Sequence, residues 1–243
     1  MTNQTPVIRI NPKRTLIFLL VLVAILVGMS IWGQYLRFIG GWDIHSYWQE
    51  VVMDFMNTPF YMDAESNIPT FINSLMLFIA SLLLAMIAAW KNSIRDKFRF
   101  QWIILALIFL LLSIDEVSTL HERLIKPMRA VFGAEGIFYF AWIVPGLIAV
   151  GVFLIAFLTF FIHLETKFKL LFFFSLILYL SGVIGGEMVS GYFASNLGLK
   201  NFTYAVVATV EESVEMIGCS LIIYSLLEYI KYYLPDGLNF KAE

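Results

Sequence analysis

Apolar residues run through this chain in six long stretches, at about 15–36, 68–90, 101–120, 137–162, 170–194 and 203–230. Each approaches the roughly 20 residues a helix needs to cross a hydrocarbon core about 30 Å thick. The pattern predicts one all-α integral membrane domain over residues 1–243, a bundle of six transmembrane helices. No repeat, low-complexity tract or long linker suggests a second domain. Between the first two spans the pattern changes. Ile44, Tyr47, Trp48, Val51, Val52 and Phe55 recur at helical spacing, with Asp43, Gln49, Glu50 and Asp54 largely on other faces. That predicts an amphipathic helix over about 43–57, lying flat at the membrane interface where aromatic side chains are favoured.

Composition strengthens this reading. Of 243 residues, 60% are hydrophobic and only 14% charged, against roughly 25% in soluble domains. A net charge of -2 selects no partner, and no nucleic acid is expected. Cys219 is the only cysteine, which excludes an intrachain disulfide and a cysteine-based zinc site. Arg9, Lys13 and Arg14 precede the first stretch as in a signal peptide, but its apolar run is too long and no small-residue cleavage site follows before Gln34. An uncleaved signal anchor in the cytoplasmic (inner or plasma) membrane is the expectation.

Basic residues set the orientation. With the N-terminus inside, the inner flanks hold Arg9, Lys13, Arg14, Lys91, Arg95, Lys97, Arg99, Lys167, Lys169, Lys231 and Lys241, and the outer flanks Arg37, Arg123, Lys126, Arg129 and Lys200. Eleven against five places both termini in the cytoplasm.

Against this apolar background, eight ionisable side chains stand out: Asp115, Glu116, His121, Glu122, Glu187, Glu211, Glu212 and Glu215. At 1.5 Å per residue, Asp115 lies about 20 Å along the third span and Glu187 about 25 Å along the fifth. Glu211 to Glu215 lie about 12–18 Å below the outer start of the sixth, so all three groups share the outer leaflet. A charge at mid-bilayer costs roughly 2.5–3.5 kcal/mol on insertion scales, so convergence of several marks a site. Helical phase puts Asp115, Ser118, Thr119 and Glu122 on one stripe with His121 at its shoulder, and Glu116 about 140° from His121. Tyr204, Ala208, Glu211, Glu215 and Gly218 share a face of the sixth span, with Glu212 beside it. Gly182, Gly186, Ser190 and Ala194 form a small-residue ridge that predicts close helix approach.

A divalent ion is the first chemistry such donors suggest. Asp115, His121, Glu187, Glu211 and Glu215 are the expected ligands, for Mg, Mn, Ca or Fe rather than Zn. Asp115, Glu211 and Glu212 would carry the acid–base steps, supported by Glu65, Glu116, Ser118, Glu122, Ser190 and Tyr204. Arg123, Lys126 and Arg129 would hold a phosphate or anionic lipid headgroup above the ion. The plainer alternative is that these carboxyls are protonated and bonded to Ser, Tyr or backbone groups, or neutralised by the basic residues above. Glu65, in a first turn with Pro69, suits a helix dipole without any ligand. A bis-histidine haem does not fit the three histidines, and P-loop, nucleophile-elbow, zincin and dinucleotide patterns are absent.

Glu65-Ser66-Asn67 and Ser113 with Asp115 resemble parts of the pattern in ceramidase-like membrane hydrolases. That resemblance implies a metal-dependent hydrolase, yet the histidine pair expected in the later helices has no counterpart, since spans five and six contain no His. The leading expectation is a metal-dependent hydrolase or transferase for a lipid-linked or phosphorylated substrate. The alternatives are a proton- or cation-coupled transporter or channel component, and a non-catalytic subunit held to itself or to a partner by its buried acids.

Overall fold

A computed structural model describes residues 10–40, 47–133 and 135–235. Asparagines start three of the long helices. The Asn11 side chain accepts from Arg14 N at 3.2 Å and opens α1 (Pro12–Phe38), with Pro12 in the position that needs no N–H donor. Asn67 accepts from Thr70 N at 3.0 Å and opens α3 (Ile68–Ser93), and Asn201 accepts from Tyr204 N at 2.8 Å to open the last helix. Between α1 and α3 lies α2 (Tyr47–Asn57), whose Tyr47, Trp48 and Phe55 are exposed. Positions 43–46 of the predicted interfacial helix lie outside the described residues.

After α4 (Arg99–Ser118), Thr119 turns left-handed at φ 52° and its N–H bonds Asp115 O at 2.7 Å. Two short helices follow, α5 (Leu120–Arg123) and α6 (Ile125–Phe132), the latter closed by left-handed Gly133. Then come α7 (Ile143–His163) and α8 (Thr166–Leu180), which widens into a π-helical turn at Ser181–Gly186 before α9 (Glu187–Leu197). The chain closes with α10 (Phe202–Tyr233). No strand occurs among the described residues. Five segments are long and apolar enough to cross a membrane: α1, α3, α4, α7 and the continuous run Thr166–Leu197.

The most acidic helix, α10, is also the central one. It packs against α1, α3, α8, the π turn and α9, while α4 packs on α3. Glycines permit the closest of these approaches. A Cβ on Gly182 would stand 2.6 Å from Glu215 N, and one on Gly218 2.5 Å from Tyr179 N. The predicted ridge of Gly182, Gly186, Ser190 and Ala194 thus does face α10. Small hydroxyls add links between helices: Ser30 to Thr209 at 2.9 Å, Ser74 to Ser113 at 3.1 Å and Ser175 to Ser225 at 3.0 Å. Such bonds within membranes contribute about 0.6 kcal/mol on average, so apolar packing carries most of the stability.

The two ends of the bundle differ in chemistry. At one end Trp90, Phe98, Trp102, Phe160, Phe168, Tyr229 and Tyr233 interlock ring on ring, with Trp102 and Phe168 fully buried. The other end collects the acids.

Candidate acidic cavity

Residues from both halves of the chain line a cavity of about 100 Å³. Its carboxyls are Glu65 from the loop before α3, Asp115 and Glu116 from α4, Glu187 from α9, and Glu211, Glu212 and Glu215 from α10. His121, Trp142, Tyr179 and Thr70 add polar groups, and Met62, Leu112 and Val183 the apolar wall. Seven acids and one imidazole therefore line a space that no lysine or arginine among the described residues lines. A water takes up about 30 Å³ in the liquid, so there is room for about three.

The break at Thr119 arranges the mouth. On a continuous helix Glu116 and His121 would diverge, but the left-handed residue turns the chain so that both line the cavity. Asp115 then holds His121 twice, accepting the backbone N–H at 2.9 Å and facing Nδ1 at 2.7 Å. Both side chains remain about a quarter exposed. Burial disfavours the imidazolium, but the Asp115 hydrogen bond and charge, then the charges of Glu187 and Glu122, outweigh it and push His121 up to about 9. The Trp142 ring stands 4.9 Å from the imidazole, and its Nε1 donates to Glu187 Oε1 at 2.9 Å.

Deeper in, the acids are tied to one another. Asn73, buried in α3, donates to Glu116 Oε1 at 3.1 Å and to Glu215 Oε1 at 3.0 Å. Tyr179 lies near Glu215, and Glu211 lies near Ser190 and the Glu187 carboxyl. The π turn helps bring Glu187 to this pairing, because its wider backbone offsets α9 from the phase of α8.

Above the cavity, Tyr61 and Tyr204 each donate to Asp63 at 2.8 Å, pinning the α1–α3 connection to α10. Burial pushes Asp63 up to about 6, against the two tyrosine bonds. Glu65 is raised to about 7 by loss of solvent and by the nearby Glu122.

A family model described as domain of unknown function (DUF8692) matches residues 14–229. The chain belongs to the DUF8692 family. No curated protein and no solved structure matches it. In this DUF8692 chain, the described residues include no group of three or more His, Cys, Asp or Glu placed to hold a metal ion. The expected ligands Asp115, His121, Glu187, Glu211 and Glu215 all line one cavity, where Asp115 and His121 bond each other, Glu187 accepts from Trp142 and Glu215 accepts from Asn73.

Other expected residues are placed differently. Glu122, Arg123 and Lys126 are exposed and do not line the cavity. Arg129 is spent on Tyr139, donating to its carbonyl and resting 4.4 Å from its ring. Ser118 bonds back to Ile114 O. Ser190 supports Glu211, and Tyr204 supports Asp63. Both Glu211 and Glu212 line the cavity. Of the residues resembling the ceramidase-like pattern, Asn67 caps α3, Ser113 pairs with Ser74, and Ser66 is left-handed at φ 58°. The sequence reading missed Asn73, Trp142 and Asp63. Asn73 carried a signal, as an amide five residues past the start of an apolar span.

Proposed function

We propose that this chain is a multi-pass protein of the cytoplasmic membrane whose acidic cavity takes up a small cation in exchange for protons. The observation that carries the reading is the cavity lining, seven carboxyls and one imidazole with no lysine or arginine among the described residues. Such a lining is neutralised by protons or by cations, and acids gathered across a helix bundle are what proton and cation pathways use. The Glu187–Glu211 pair is the exchange point in this reading, because two neighbouring carboxyls that line the cavity can give up a proton as positive charge arrives. Glu212 and Glu215 extend the site, and His121 with Asp115 guards the mouth. With room for about three waters, the site suits a small, partly hydrated ion.

In this account α10 is a sixth span, its acids shielded by α1, α3 and the continuous run Thr166–Leu197 packed on it. Both termini lie in the cytoplasm, α2 rests on the outer interface, and the cavity opens outward, with the aromatic end closing the cytoplasmic side. The metal-dependent hydrolase or transferase reading draws on one feature, the His121–Asp115 pair. Against it stand the small volume and the acidic lining, which would repel a phosphorylated substrate.

The test is flux in proteoliposomes loaded with a pH-sensitive dye and challenged with gradients of sodium, potassium, magnesium, calcium and manganese. Cation-driven proton movement that Glu211→Gln abolishes supports the reading. Absence of flux for every cation, with correctly folded protein, overturns it.

A further inference from the structure

Arg123 and Lys126 belong to a surface that the acidic cavity does not explain. The segment from Leu120 to Phe132 leaves α4 where that apolar helix ends, so it is fixed at the level where the bilayer gives way to water. It exposes four large apolar side chains: Leu120 at 48%, Leu124 at 43%, Val131 at 69% and Phe132 at 54%. Arg123 and Lys126 are exposed on the same segment, with Glu122 the one acid beside them. Among the described residues neither cation forms an ion pair, whereas Lys91 pairs with Asp96 and Lys167 with Glu228. Arg129, the third cation, is engaged by Tyr139.

Apolar side chains interleaved with basic ones at a membrane boundary fit one occupant. We propose that Leu120–Phe132 is a binding surface for anionic phospholipid headgroups. Leu120, Leu124, Val131 and Phe132 enter the acyl boundary, and Arg123 and Lys126 meet the phosphates of the same leaflet. A basic side chain near an anionic surface contributes about a five-fold preference, reduced by salt. A free phosphate would use the two charges and leave the four apolar side chains without purpose. The inference does not depend on what the cavity carries.

The full-length protein is reconstituted in phosphatidylcholine vesicles, and its association with spin-labelled phosphatidylglycerol and phosphatidylcholine is compared by electron spin resonance. We expect a preference for phosphatidylglycerol that falls several-fold in Arg123→Gln/Lys126→Gln and persists in the charge-conserving Arg123→Lys/Lys126→Arg. Leu124→Ser/Val131→Ser weakens it, and added inorganic phosphate does not compete. An unchanged preference in the charge-removed variant overturns the proposal. So does competition by inorganic phosphate, which would assign the two cations to a soluble anion.

Discussion

Replacing Gly182 with alanine adds one methyl group at the tightest contact between the π turn and α10. That carbon would lie 2.6 Å from Glu215 N and 2.8 Å from its Cα, both backbone atoms that cannot rotate away. Reaching ordinary contact near 3.4 Å requires the two segments to part by about 0.8 Å, the difference between 3.4 and 2.6 Å. Separation there also loosens Gly186 against Glu211 and Gly218 against Tyr179, so the whole seam opens. Overpacking of this kind costs about 1–3 kcal/mol. Gly185 lies on the same turn, and a Cβ there would meet nothing within 4 Å. Gly185→Ala is therefore expected to be neutral, or stabilising by up to about 1 kcal/mol from reduced chain entropy. Unfolding of the two variants in mixed micelles, titrated with denaturing detergent, measures the difference. If Gly182→Ala is as stable as Gly185→Ala, the close seam does not exist and the placement of Glu215 falls with it.

Three further outcomes follow from the site. Trp142→Phe keeps an aromatic face on His121 but removes the Nε1 donor to Glu187, and should cost about 1–3 kcal/mol in the same unfolding assay. Asn73→Leu removes the one donor shared by Glu116 and Glu215, and should shift the pH midpoint of cation binding while Asn92→Leu, remote from the cavity, does not. His121 is raised from 6.5 to about 9, so the stability it contributes is full below about pH 6.5 and is lost as pH rises through about 9. Melting temperatures recorded across that window should fall for the wild type and flatten for Asp115→Asn.

The apolar stretches identify the helices well because length and hydropathy are local properties. The expected span at about 68–90 is observed as Ile68–Ser93, and the apolar stretch at about 203–230 is the helix Phe202–Tyr233, which is not one of the five segments apolar enough to cross a membrane. Asp115, Glu187 and Glu211 line one cavity, a convergence that was legible from rise per residue along each helix. Rotation and breaks were not. The polar stripe through Asp115, Ser118, Thr119 and Glu122 assumed a continuous helix, and the left-handed Thr119 ends it, leaving Glu122 exposed and returning His121 to Asp115. Likewise the π turn before Glu187 changes the phase of α9 in a way that residue spacing does not reveal. Arg123 and Lys126 were expected over the acids by proximity in sequence, but the same break at Thr119 leaves them exposed and outside the cavity lining.

The central claim is that the carboxyls of the cavity bind a cation and surrender protons to do so. Proton release on titrating purified, detergent-solubilised protein with each candidate cation, followed with a pH indicator in weak buffer, addresses it most directly. The account predicts saturable release that disappears in Glu187→Gln/Glu211→Gln and survives in Glu228→Gln, whose carboxylate pairs with Lys167 far from the cavity. Release that is absent for every cation, or unchanged when both carboxyls are removed from a folded protein, would contradict it.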